Sequence, residues 1–433
     1  MTETATQEQI HPHWKRHIGM FLGGQAISLF GSSVVQFAVM WYLTLETKSA
    51  SVVALYAIFA FLPQGLVSLF GGTLADRVNR KLLIIIPDML IALATLCLAL
   101  LMASGVKDLW VIFLVVAVRS VGAGFQAPAI NALIPAIVPE KELLRINGLN
   151  GTIQSLMGLV APAAGAAIYG LGGIEKTLYV DVVTAVIGIV LLFFIPLQAQ
   201  PPVREQESFL KELVEGVKYT ATHRFIRWMM TIYTMVIVLI VAPNFLVPLL
   251  SAQRFNAEVW HLSAIEVAFS VGTLLGAISI ATFLAKRSAL RLMLVTSVLF
   301  GILSIALALS PQIWITIALM GLTGYFVPLF AGPSTTELQT HTDPQYMGRV
   351  MSQANILFTL GVPFGMVALG PITEAFGVAE VMAATGVITI IFVSLAFFGT
   401  ETGRIALAAK PAASAQTNNH SETENPGGTE HAD

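Results

Sequence analysis

GGTLADRVNRK, residues 71–81, lies between two apolar runs, 50–70 and 82–104. Each run is long enough to cross a bilayer, which takes about 20 apolar residues. The connection itself holds a glycine pair, then Asp76-Arg77, then Arg80-Lys81. So much charge in so short a link between two spans marks a specified turn rather than a generic loop. Composition agrees. Of 433 residues, 56% are hydrophobic and only 11% charged, where a soluble domain carries roughly 25% charged residues. Mean hydropathy is +0.78. Apolar runs recur at 18–45, 50–71, 82–104, 109–134, 147–170, 176–196, 226–250, 260–284, 289–309, 312–333, 350–370 and 378–399. In hydrocarbon each must be a helix, because every buried backbone group needs an internal partner. The expected fold is an all-α membrane protein with twelve transmembrane helices in two six-helix halves.

Charge distribution supports the count. Threading twelve spans from an inside N-terminus puts 18 of the 23 Lys and Arg residues on the inside, four outside, and Arg119 within the membrane. Such asymmetry is what the positive-inside rule describes, and it places both termini in the cytoplasm. Residues 1–17 are polar, so no secretory signal is expected ahead of the first span. The single cysteine, Cys97, excludes a disulfide framework. GLGGIEKT (170–177) resembles a phosphate loop but has Glu175 where that loop needs glycine. The histidines are scattered. No cofactor, metal or nucleic-acid partner is expected, and no nucleophile–base pair suggests an enzyme.

The chain also matches itself at an offset of 205: Gly71 falls on Gly276, Lys81 on Lys286, Pro128 on Pro333, Pro139 on Pro344 and Asn150 on Asn355. A six-helix repeat is the reading. The expected organisation is a cytoplasmic tail (1–17), a first six-helix half (18–196), a linker (197–225), a second half (226–399) and a disordered cytoplasmic tail (400–433). Within the linker, Phe209, Leu210, Leu213, Val214 and Val217 recur at helical spacing among charges. They predict an amphipathic helix at the membrane surface.

Polar residues inside the spans are few, and each is informative. A cation at mid-membrane, such as Arg119, costs several kcal/mol unless it faces a cavity or a partner. Asp88, Asp181 and Glu266 are acidic residues within spans. A carboxylate that can be neutral or charged is what proton coupling requires, with Glu266 the preferred carrier, then Asp181 and Asp88; each could instead be hydrated or cap a helix. Gln25, Ser28, Ser32 and Gln36 share one face of helix 1 at spacings of 3, 4 and 4. Such a stripe lines an aqueous cavity or makes interhelical hydrogen bonds. Helix 5 adds Asn147, Asn150 and Gln154, and helix 11 adds Gln353 and Asn355. Phe37, Trp41, Tyr42, Tyr233, Phe245 and Tyr325 are candidates for an apolar lining, with lipid contact or ordinary packing the competing reading.

These features resemble those of the major facilitator superfamily. Gly72, Asp76, Arg77, Arg80 and Lys81 match its signature between helices 2 and 3, loosely G-x-x-x-D-R-x-G-R-R/K, with Asn79 where glycine is usual. Asn is the natural stand-in where a left-handed backbone is needed. The resemblance implies that these five residues form a conformational gate. Arg119 followed by Gly122 and Gly124 is similar to the helix-4 motif linked to proton transfer in drug exporters. Ala161-Pro162 and Gly165-Ala166 fill the places of the antiporter motif in helix 5, without its leading glycine. Gly24–Ala50, FQAPAINALIPAIVPEKEL, SFLKELVEGVKY and Gly348–Gln353 resemble the macrolide-efflux group of drug:proton antiporters. The resemblance implies proton-coupled efflux of an amphipathic compound, a macrolide first, across the bacterial inner membrane by a monomer. Import or facilitated movement of a small solute, or siderophore export, stays open on the same scaffold.

Overall fold

The computed structural model describes residues 13–75, 79, 81–195, 209–284 and 287–408. Among them the chain is helical almost throughout, with no strand. The helices are α1 (Trp14–Thr47), α2 (Ala50–Ala75), α3 (Leu82–Ala103), α4 (Leu109–Ile137), α5 (Leu143–Phe193), α6 (Phe209–Thr222), α7 (Arg224–Arg254), α8 (Val259–Ser279), α9 (Ala289–Ala308), α10 (Ile313–His341), α11 (Met347–Phe376), α12 (Val378–Ser394) and α13 (Glu401–Ala408). Eleven of the described helices are long and apolar enough to cross a membrane.

One of them supplies two spans. Within the 51 residues of α5, Gly173 has φ 70° and ψ −173°. A residue with a Cβ strongly disfavours that backbone, so glycine lets the chain reverse there. The limb before it and the limb after it run in opposite directions along α1. Gly165 faces Val34 and Trp41, whereas Gly188, further along the chain, abuts Gly24. Twelve spans result. The reversal falls between the apolar runs 147–170 and 176–196 and turns on a single residue.

Two six-helix halves, α1–α5 and α7–α12, meet through α2 against α11 and α5 against α8. Their hydrophobic cores show how they meet. At the end away from the chain termini one continuous core joins both halves, from Trp41, Leu43 and Ala57 to Leu246, Leu250, Leu262, Met366 and Met382. Nearer the termini the core splits. Ile18, Phe21, Ile84 and Ile134 pack within the first half, and Ile226, Met229, Met293 and Phe397 within the second. Among the described residues the halves therefore share one core at the far end and keep separate cores at the end nearer the termini.

Polar contacts reinforce the far-end seal. Lys48 Nζ donates to Asn256 Oδ1 at 2.7 Å, and Gln253 Nε2 donates to the Lys48 carbonyl at 2.7 Å. Glu374 of α11 accepts from the Ser51 amide at 2.9 Å and from Ser49 Oγ at 3.2 Å, so it caps the start of α2 from the opposite half.

The linker helix α6 docks on the second half. Its Glu215 pairs with Arg349 at 2.9 Å, and Tyr219 stacks on Tyr346 with centroids 4.3 Å apart. Val214 and Val217 stay exposed on another face.

Candidate functional site

Arg119 sits near the middle of α4 and points at the second limb of α5. Its Nη1 donates to Asp181 and to Thr95, and its Nη2 donates to the Ser32 carbonyl at 3.2 Å. Asp181 is fully buried. Besides Arg119 it accepts from Ser32 Oγ at 2.8 Å and Thr95 Oγ1 at 3.0 Å. Four helices thus converge on one ion pair, and each carboxylate oxygen has a donor. A buried pair needs such supporting hydrogen bonds to offset the loss of hydration.

Asp88 of α3 has a different setting. It is buried and accepts from Ser28 Oγ at 3.3 Å and from Gln126 Nε2. No cation pairs with it among the described residues. Ser28 and Ser32, one turn apart on α1, therefore each serve one of the two acids. Both serines belong to the polar stripe of helix 1. Its serines make interhelical hydrogen bonds, Gln25 is half-buried, and Gln36 is exposed to open space.

That space consists of two adjoining cavities. The first, about 200 Å³, lies inside the first half and is lined by Ser32, Gln36, Tyr56, Gln64, Arg119 and Gln126, among others. The second, about 220 Å³, lies between the halves, where Gln36 and Tyr56 again contribute. Its remaining walls are Phe37, Met40, Phe61, Phe245, Glu266, Phe269 and Met320. Gln36 and Tyr56 are the partition between the two, and the Tyr56 hydroxyl donates to the Gln36 carbonyl at 2.8 Å. Glu266 faces the second cavity rather than lipid. Among the described residues it has no ion-pair partner and no hydrogen-bond donor.

The other sequence candidates scatter. Phe37 and Phe245 line the inter-half cavity, but Trp41 and Tyr42 belong to the far-end core. Tyr233 is half-buried and stacks on Phe330 at 6.1 Å, so packing holds it. Tyr325 lies edge-on to Phe326, with its backbone against Gly272 and Gly276 of α8. Asn150 is half-buried and Gln154 exposed, both on the first limb of α5. Gln353, expected to line the cavity, does not. It is 8% exposed and bonded to Thr220 of α6 at 2.9 Å, because the linker helix covers that stretch of α11. Of the gate residues, Gly72 lies in the last turns of α2, and Asp76, Arg77 and Arg80 fall outside the described residues. Lys81 is placed: its Nζ donates to the carbonyls of Phe193 at 2.9 Å and Ile195 at 3.0 Å. A lysine at the free carbonyls of a helix end is favourable. The Asn79 side chain accepts from the Lys81 amide at 3.0 Å.

Thr95 and Gln126 carry a spacing signal in the sequence. Thr95 follows Asp88 by seven residues, and Gln126 follows Arg119 by seven, which is two turns along the same face. Tyr56, Phe61, Phe269 and Met320 carried no such mark, since apolar and aromatic residues fill every span.

Comparison with known proteins agrees with this architecture. The chain is 29% identical over 385 residues to macrolide efflux protein A of Streptococcus pyogenes, covering 87% of this chain and 94% of that one. It is 26% identical over 398 residues to the multidrug efflux pump Tap of Mycolicibacterium fortuitum, covering 88% and 95%. Among solved structures, a bacterial homologue of the iron transporter ferroportin in an inward-facing state aligns with a TM-score of 0.69 at 16% identity, over 88% of this chain and 98% of that one. The nucleoside transporter NupG aligns with a TM-score of 0.68 at 15% identity, over 92% and 100%. The family model of the Major Facilitator Superfamily matches residues 21–366; with its twelve spans in two halves around a central cavity, the chain is a multi-pass membrane transporter and belongs to that superfamily.

Proposed function

We propose that the protein expels an amphipathic, drug-like compound from a bacterial cell in exchange for entering protons, with a macrolide antibiotic as the leading substrate. The observation that carries the reading is Arg119, held by the buried Asp181, in the wall of a cavity that adjoins the inter-half cavity lined by Glu266. Opening and closing around a site between the halves gives alternating access. Each rocking step would re-expose these acids to the opposite side, so a proton taken up at one face could be released at the other. Asp88 is the reserve carrier, and the Gly72–Lys81 turn is the gate that holds the halves in register. The relatives named for macrolide and multidrug efflux support the direction and the chemical class. The protein would lie in the inner membrane as a monomer, with both termini in the cytoplasm.

Two measurements test this. Expression in a pump-deficient host should raise resistance to one or more macrolides across a drug panel. In proteoliposomes, adding that drug should drive proton movement, and Asp181→Asn should abolish it. Uptake of drug or solute toward the compartment facing the termini, down a proton gradient, would make the protein an importer and reject the efflux reading.

A further inference from the structure

We infer that the cavity between the halves is a receptor for a cationic ammonium head group, with Glu266 as counter-charge and Phe37, Tyr56, Phe61, Phe245 and Phe269 as its aromatic walls. This deepens the efflux reading by naming the chemistry of the substrate, and it rests on that reading only for the identity of the natural occupant. The three intramembrane acids are provided for very unequally. Asp181 has a guanidinium and two hydroxyl donors. Asp88 has an amide and a hydroxyl. Glu266 has neither cation nor donor among the described residues, yet it opens onto a cavity of about 220 Å³. A charged group kept from bulk water is costly unless something pairs with it. The other walls of that cavity are five aromatic rings with Gln36, Met40 and Met320, and none of them is lysine or arginine.

Aromatic faces carry negative potential and attract cations, and cages of such rings are the usual receptors for alkylated ammonium groups. The rings come from both halves. Phe61 of α2 and Phe245 of α7 meet edge to face at 5.7 Å. A cation held among them contacts both halves at once. The cavity is smaller than the roughly 300–1,000 Å³ typical of a drug-sized ligand. It fits the ammonium end of a larger amphiphile, whose bulk would extend into the opening between the halves. Glu266 cannot hold a proton and a cation together, so the two occupants exclude one another.

The test uses two isosteric probes that differ by one charge: 4-(trimethylammonio)benzyl alcohol and 4-tert-butylbenzyl alcohol. Binding to the purified full-length protein in nanodiscs is read by saturation-transfer NMR and tryptophan fluorescence. The wild type should prefer the cation by about tenfold or more, the scale of a desolvated cation–π site with a counter-charge. Glu266→Gln should bring the ratio close to one while leaving the neutral probe within about twofold, which shows that the variant is folded. Equal binding of both probes by the wild type overturns the inference, as does a preference that survives Glu266→Gln. Should the Gln variant bind neither probe, Phe269→Leu decides. A cation preference lowered about threefold supports the cage, and an unchanged preference refutes it. A cation preference abolished by Glu266→Gln in a protein that exports no drug from cells would reject the efflux reading and keep the site.

Discussion

Arg119 and Asp181 are stable only as a pair. Remove one partner and the other is a bare charge in a low-dielectric wall, at a cost of about 3–5 kcal/mol. Replacing both with well-packed apolar groups is often neutral, because the desolvation penalty goes with them. Arg119→Ala should therefore lower thermal stability sharply in detergent, whereas Arg119→Met combined with Asp181→Leu should recover most of it. Drug-driven proton release in proteoliposomes should be lost in both variants. If the double variant couples normally, the pair is structural and the proton path runs elsewhere. Arg119→Lys should rescue poorly, since the guanidinium uses two nitrogens to reach Asp181, Thr95 and the Ser32 carbonyl together, which an ammonium on a flexible stem does not reproduce. That Arg119 needed a partner was readable from the sequence, because the cost of a lone cation in hydrocarbon does not depend on the fold. Which of three carboxylates it chose was not. The choice depends on how α4 and the second limb of α5 rotate against each other, and apolar runs do not record rotation.

At the scale of elements, helices were legible because bilayer thickness and backbone hydrogen bonding leave no alternative, whereas contacts between helices were not. α6 illustrates both. Its helical spacing was visible in the linker, but its seat on α11 depends on Gly216, where a Cβ would come within 2.3 Å of Gln353 Nε2 and 3.0 Å of Arg349 Cβ. Gly216→Leu should push α6 off the second half, and cleavage of the linker by added protease should accelerate several-fold. An unchanged cleavage rate would mean that α6 does not depend on this contact. Gln353 is a second case: a polar residue in a span serves a cavity or a neighbouring helix, and only packing tells which. The capping of α2 by Glu374 was likewise invisible, since the two are 323 residues apart. A carboxylate at a helix N-terminus contributes about 0.3–1 kcal/mol. Glu374→Gln should therefore loosen the far-end seal and raise the open population by a few-fold. In a Cys97→Ser background, thiol labelling of Ala54→Cys, 4% exposed in the sealed core, reads that population directly. Labelling that stays at the wild-type rate would show that the cap does not hold the halves together.

For the whole molecule, the split core sets a mechanical requirement. A joined core at one end and two separate cores at the other fit one of the two states that the proposed alternating access needs. To reach the second state, the far-end core must divide and the termini end must close, because packed interfaces switch between discrete arrangements rather than stretch. Ser49 follows the Lys48 carbonyl that Gln253 of the opposite half grips at 2.7 Å, so these positions move apart when the far end opens. Cysteines introduced as Ser49→Cys and Gln253→Cys, in the Cys97→Ser background, should be joined by a short bis-methanethiosulfonate reagent, each thiol displacing one methanesulfinate to leave a reducible tether between the halves. The joined protein should bind drug from the end carrying the termini yet transport none, and a reductant that cleaves the reagent should restore transport. The same experiment reads orientation. Threaded with the N-terminus inside, the sequence puts 18 of its 23 basic residues on the side of the termini, and the positive-inside rule then predicts that the far end faces out of the cell. A membrane-impermeant reagent added to intact cells should therefore form the link, and more slowly when substrate holds the protein in the state open to the outside. Full transport by the joined protein would mean that the halves need not part at Ser49–Gln253, and rocking about the central cavity would have to be abandoned as the mechanism.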